Sequence, residues 1–206
     1  DYYQDEKNIV DKIIQDKKEV YFFVSHVHYD HFNPKISEFK DKVTKYFISY
    51  DVVTDVLPKE KTIILDEYMT YDDKNIHVRS FSSTDEGISF FVEKNDWKIF
   101  HAGDFNWWHW KGDTKENNVF AKNGFVKQMM RLSGLKMDIA FFPVDSRLEE
   151  FLDCFDINCI VEITCENEPV RRCRVSAALS DDRYPAVDYV VLPGSVTFKD
   201  DVDIYQ

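Results

Sequence analysis

The chain has 206 residues, 44% hydrophobic and 16% aromatic, enough for one domain with a real core or one domain with a small appendage. Its net charge of −12 disfavours a general nucleic-acid or anionic-membrane binder, because both rely on lysine and arginine, though a local basic pocket stays compatible with it. No apolar run approaches the length of a membrane span and no signal peptide precedes Asp1, so the expected compartment is the cytoplasm.

Residues 5–17 carry Ile9, Val10, Ile13 and Ile14 at helical spacing and read as an amphipathic helix. A strand over 19–25 follows, apolar through Val20-Tyr21-Phe22-Phe23-Val24. Asn33-Pro34 reads as an N-cap with proline in the first turn, starting a helix to about Val43. Short strands are predicted at 46–49, 61–65, 75–81, 88–93 and 97–101, with Asn95-Asp96 turning between the last two. Residues 118–132 read as a helix whose apolar face is Val119, Phe120, Val126, Met129 and Met130. A buried strand over 138–144 and a short helix over 147–152 complete the series. This order fits an α/β chain of two sheets faced by helices.

Past about Leu152 the chain changes character. Lys199 is the only lysine there, while Cys154, Cys159, Cys165 and Cys173 and the cluster Arg171, Arg172, Arg174 all appear. The expected organisation is one domain over 1–152 with an atypical C-terminal segment, 153–206, docked on it. The runs 159–163 and 187–192 are strand-like and would cover an open sheet edge. A Cys-x-x-Cys knuckle is absent, and a cytosolic protein keeps its thiols reduced. The arginine cluster reads as a solvated face, or as a contact for an anionic substrate group.

The chemistry concentrates in Ser25-His26-Val27-His28-Tyr29-Asp30-His31, directly after the first apolar strand. Borderline cations such as zinc want neutral imidazole nitrogen and carboxylate oxygen. His26 and His28 alternate, so they can point the same way, and Asp30 and His31 follow closely enough to serve a second metal. A second stretch, Lys98-Ile99-Phe100-His101-Ala102-Gly103-Asp104, reads as a strand running into a Gly-Asp turn.

The pattern His-x-His-x-Asp-His, followed by this Gly-Asp turn, resembles the signature of the metallo-β-lactamase fold superfamily. Within it the chain looks most like uncharacterised hydrolases related to ascorbate-6-phosphate lactonases, over roughly residues 1–150. The resemblance implies a four-layer αββα sandwich. It implies that His26 and His28 bind a first metal, Asp30 and His31 a second, and that Asp104 bridges them, with Asp30 also orienting the nucleophile. It implies one or two zinc ions and a metal-activated water that hydrolyses a small ester, lactone or phosphoester.

Three departures qualify these expectations. Family members usually open with a β-hairpin, whereas this chain starts at Asp1-Tyr2-Tyr3, which looks like the end of that region. A third histidine for the first metal is expected before the Gly-Asp turn, but Ser82-Ser83-Thr84-Asp85-Glu86-Gly87 stands there. Asp85 or Glu86 can substitute as an oxygen ligand, which favours manganese, or these residues form a solvated turn. No histidine follows His109, where the family places its last ligand. Metal binding is therefore expected to be weaker than in a full site. A non-catalytic binding protein is the rival reading, and a nuclease of the same superfamily is disfavoured by the acidic composition.

Other residues carry two readings each. His101 lines the site or is a hydrogen-bonded core histidine. His109, inside Asn106-Trp107-Trp108-His109-Trp110, is a catalytic proton donor in a tryptophan-walled pocket, or the aromatics pack on the following helix. His77 reads as a surface residue. Ser25 and Ser83 have no nucleophile-elbow pattern, so serine hydrolysis has no support.

Overall fold

In the computed structural model, residues 2, 9–108 and 113–143 are described, together with strand segments at 156–157, 160–163, 175–176, 196–197 and 203–204. A short helix, α1 (Ile9–Ile14), precedes three parallel strands, β1 (Tyr21–Val24), β2 (Lys45–Ser49) and β3 (Thr62–Leu65), paired in that order. Next comes an antiparallel meander, β4 (Thr70–Asp72), β5 (His77–Ser82), β6 (Ile88–Lys94) and β7 (Trp97–His101). The helix α2 (Lys115–Leu132) leads through β8 (Lys136–Met137) to β9 (Ile139–Pro143), which pairs parallel to β7 with Ile99 opposite Ile139. From the C-terminal part, β10 (Asp156–Ile157) pairs with β8, β11 (Ile160–Ile163) runs parallel to β9, and β12 (Val175–Ser176) pairs with β11. The larger sheet thus has the order β12-β11-β9-β7-β6-β5-β4.

Alternation along the strands sorts side chains into three apolar layers. Phe47 and Leu65 of the small sheet meet Val78, Ile88, Phe90 and Val92 of the large one. The opposite face of the small sheet, Val24, Tyr46 and Ile48, packs with Ile36, Val43 and Leu57. The opposite face of the large sheet, Phe81, Phe91, Phe100, Ala140 and Phe142, packs under Phe125, Met129 and Leu132 of α2. Helix, sheet, sheet and helix are the four layers expected.

The first of these layers is thinner than the sequence suggests. The helix expected from Asn33 to Val43 is a 3₁₀ segment, Pro34–Phe39. Asn33 caps it as predicted, its Oδ1 accepting from the Lys35 amide at 3.0 Å. Its end is set elsewhere: the Lys61 ammonium donates to the carbonyls of Lys40 and Val43 at 2.6 and 2.8 Å. Those acceptors are then used from outside and the turn closes there.

In α2 the buried stripe differs from the expected one. Phe125, Gln128, Met129 and Leu132 face the sheet, whereas Val119, Phe120, Val126 and Met130 are exposed. Apolar residues encircle this helix, so periodicity alone does not choose a face. The choice comes from the Gly-Asp turn's neighbours, since Phe125 stacks on Phe105 at 5.2 Å and on Trp107 at 6.3 Å. The two adjacent methionines test this orientation. Met129→Ala is expected to cost about 2–5 kcal/mol, the usual range for emptying a core site. Met130→Ala, at a position 75% exposed, is expected to stay within about 0.5 kcal/mol of wild type in urea denaturation. Equal costs would mean that α2 is rotated.

Of the C-terminal expectations, residues 160–163 do form a strand, while 144–152, 187–192, the four cysteines and the arginine cluster lie outside the described residues. Among the described residues no helix is long and apolar enough to cross a membrane.

Candidate metal centre

The site forms where the ends of β1 and β7 meet the start of β6. Ser25 and His26, the first residues past β1, are fully buried. The Ile88 amide donates to the Ser25 carbonyl at 2.9 Å and ties the two sheets together at this point. The chain then turns sharply, the amides of His31 and Phe32 both donating to the His28 carbonyl, at 3.0 and 2.8 Å. Asp51, just past β2, accepts from the Val27 amide at 3.1 Å and holds the outside of the turn.

Two glycines let these loops approach. Gly87 has φ +69°, and a Cβ there would lie 2.0 Å from the Ser25 carbonyl oxygen and 2.4 Å from the His26 Cβ. Gly103 has φ +57°, and its Cβ would lie 2.6 Å from that of Ser25. Both the left-handed backbone and the contact distance exclude a side chain. The loops are also stitched to each other. Thr84 Oγ1 donates to the Asn106 carbonyl at 2.5 Å and accepts from the Asn106 amide at 2.8 Å.

Four of the predicted side chains converge in this space. Asp104 presents Oδ2 to His26 Nε2 at 3.4 Å and Oδ1 to His31 Nε2 at 3.2 Å. His26 Nε2 also lies 3.1 Å from His28 Nδ1. Burial by itself raises the Asp104 carboxyl, but its hydrogen bonds to His26 and His31 outweigh this and hold it well below the usual carboxylate range. His26, His28 and Asp104 each bring a ligand atom into one cluster, all within 4.8 Å of one another.

Its structural neighbours include metallo-β-lactamase superfamily members. Igni18, a metallo hydrolase from the archaeon Ignicoccus hospitalis, is 15% identical, over 69% of this chain and 62% of its own, with a TM-score of 0.47. A metallo-β-lactamase motif mutant from Cronobacter sakazakii is 12% identical, over 59% of this chain and 56% of its own, with a TM-score of 0.40. CmlA, a diiron β-hydroxylase from Streptomyces venezuelae, is 11% identical, over 62% of this chain and 26% of its own, with a TM-score of 0.40. This chain spans less than two thirds of each of these structures. No protein-family model matches the chain. No curated protein matches it.

The donor set suits a divalent metal ion. A tetrahedral zinc holds its N and O ligands at about 2.0–2.2 Å, which sets neighbouring ligand atoms about 3.4 Å apart. The observed 3.1 and 3.4 Å separations around His26 Nε2 match that edge length. Imidazole and carboxylate suit zinc, manganese or iron alike.

The remaining candidates fall into place around this cluster. Asp30 joins it only through His31, its Oδ2 3.6 Å from His31 Nε2, with a side chain 38% exposed. Glu86, from the loop where a histidine was expected, sets Oε2 3.3 Å from His28 Nε2, the nitrogen facing away from His26. Asp85 is exposed on the same turn. The His101 Nδ1 accepts from the Gly103 amide at 2.9 Å, so the residue braces the turn that carries Asp104. Burial pushes its imidazole well below the ordinary histidine range. Trp107 packs on Phe125, while the Trp108 indole donates to the Asp104 carbonyl at 2.9 Å. His77 lies 3.5 Å from Asp72 and 3.8 Å from Glu93, away from this cluster in the strand pairing. His109 lies outside the described residues.

Sequence reasoning missed Ser25, Gly87 and the Thr84–Asn106 pairing. None of these had a local signal, because Gly87 meets Ser25 and Thr84 meets Asn106 only across the fold.

Proposed function

We propose that this chain is a metal-dependent hydrolase of the metallo-β-lactamase type, acting on a small ester, lactone or phosphoester. The observation that carries this reading is the convergence of His26, His28 and Asp104, with His31 on the second oxygen of Asp104. His26, His28 and Asp104 would hold the first ion, and His31 with Asp30 and Asp104 marks the flank where a second would sit. When bound, such an ion supplies an activated water and polarises the scissile carbonyl or phosphoryl oxygen.

The chain's own residues do the rest. Asp104, partly buried and bonded to two imidazoles, keeps His26 and His31 facing one another across its carboxylate. Asp30, partly exposed beside His31, would orient the nucleophile and take its proton at Oδ2. The net charge of −12 argues against a polyanionic substrate.

One observation favours the second reading, a binding protein that has lost catalysis. The loop that would bring a third imidazole brings Glu86 instead, and its carboxylate meets the outer nitrogen of His28. A site so composed binds its ion less tightly than one with a full ligand set.

The test is elemental analysis of the purified protein followed by chelation. Nitrophenyl esters, lactones and phosphoesters are then assayed with zinc, manganese or iron(II) added back. Hydrolysis is expected to disappear on chelation and return with one of these ions. Hydrolysis that survives chelation would reject the metal role. Ion binding with no turnover on any of the three classes would select the binding protein.

A further inference from the structure

The Ser25 hydroxyl touches two rings at once. Its Oγ lies 3.0 Å from His26 Nδ1 and 3.3 Å from His31 Nδ1. In both rings the opposite nitrogen, Nε2, is the one that faces Asp104. Ser25 is fully buried. Its backbone is held by the Ile88 amide on its carbonyl, and Gly87 packs on that carbonyl while Gly103 packs on its side chain.

We propose that Ser25 is a positioning residue, a single hydroxyl that anchors His26 and His31 together and sets both for cation binding through Nε2. The inference rests on the metal-site reading above. A histidine that binds through Nε2 must carry its proton on Nδ1, and that N–H needs an acceptor. A hydroxyl oxygen has two lone pairs and so can accept from both Nδ1–H groups. In the ion-free protein the same hydroxyl can donate to one Nδ1 and accept from the other, so it keeps both rings in place in either state. A carboxylate would serve one ring as well but would add a buried charge next to Asp104. Serine supplies a neutral hydroxyl small enough for the space that Gly103 leaves open beside its Cβ and Oγ. His28 is held differently: its outer nitrogen, Nε2, meets Glu86 on the exposed side, and its inner nitrogen is Nδ1. The structure therefore assigns the inward nitrogens ring by ring, as His26 Nε2, His28 Nδ1 and His31 Nε2.

The experiment compares wild type with Ser25→Ala, which removes only the Oγ. Long-range ¹H–¹⁵N spectra of the ion-free proteins are expected to show the Nδ1 resonances of both His26 and His31 shifted in the variant, with His77 unmoved. A shift at only one ring, or at neither, overturns the shared anchor. Zinc titration is expected to show an affinity about 10–100-fold lower for Ser25→Ala, the range for losing an outer partner of a metal-binding histidine. Unchanged zinc affinity overturns the positioning role even if both rings move. In zinc-loaded wild type, two Nδ1–H protons protected from solvent exchange are expected on these rings, and this needs no variant to fold. Exchange-labile or absent Nδ1–H signals overturn the assignment. If wild type binds no zinc, the metal reading fails, and the ion-free spectra alone still decide whether Ser25 joins the two rings.

Discussion

Replacing Asp104 by alanine is expected to weaken divalent-cation binding by more than about 100-fold. Losing an outer partner of a ligand costs about 10–100-fold, and Asp104 stands inside the cluster itself. The same change should also destabilise the ion-free protein. His26 Nε2 and His31 Nε2 would both lose the carboxylate they face, and His26 is fully buried. Stranding a buried donor costs about 1–3 kcal/mol. Asp104→Asn separates the two effects, because it keeps the shape and loses the charge. The folded carboxyl is held below its ordinary range, so its contribution to stability is present above the unfolded carboxyl pKa of about 3.9. It is lost as pH falls through the lower folded value. Asp104→Asn should therefore flatten the acid limb of a pH–stability curve. Calorimetric titration with zinc and denaturation curves between neutral and acid pH are the measurements. Wild-type zinc affinity in Asp104→Ala would remove Asp104 from the site.

Among the described glycines, Gly87→Ala is expected to be the most damaging substitution, at about 3 kcal/mol or more. A residue other than glycine at positive φ costs about 1–2 kcal/mol, and forcing a methyl into packed space adds about 1–3 kcal/mol. Here the obstacle is backbone, the Ser25 carbonyl at 2.0 Å, and it has no alternative rotamer. The displaced Ser25 and His26 should lower cation affinity at the same time. Two other glycines serve as internal controls. Gly134 also has positive φ, +82°, but nothing lies within 4 Å of its missing Cβ, so Gly134→Ala should cost only the backbone strain, about 1 kcal/mol. Gly124 sits inside α2 in open space, and Gly124→Ala should stabilise by up to about 1 kcal/mol. Urea midpoints for the three variants give the order directly. A Gly87→Ala cost no larger than that of Gly134→Ala would mean that the loop at 83–87 does not close on the histidine turn.

These two predictions draw on different kinds of information. Asp104 was legible as a candidate because a Gly-Asp pair after an apolar strand is a local pattern. The importance of Gly87 was not, since its neighbour in space, Ser25, is sixty-two positions away in the chain. The same contrast runs through α2. Its existence and its end at Leu132 followed from the sequence, and its N-cap proved to be Thr114, whose Oγ1 accepts from the Asn117 amide at 3.1 Å. Its buried face did not follow, because valine, phenylalanine and methionine lie all round it and only the aromatic surface of the large sheet selects Phe125 and Met129.

Local patterns in the chain were enough for the strand-then-ligand arrangement, the two-sheet class of fold and the main candidate donors. Each of these depends on periodicity or on residues a few positions apart, which local sterics and hydrophobic burial make readable. Which nitrogen of each ring faces inward, the meeting of Glu86 with His28, and the serine hydroxyl that reaches two histidines emerge from the folded arrangement alone. Those facts depend on how the ends of β1, β6 and β7 stack across two sheets. That stacking is set by side-chain packing between segments far apart in the chain, for which no local pattern exists.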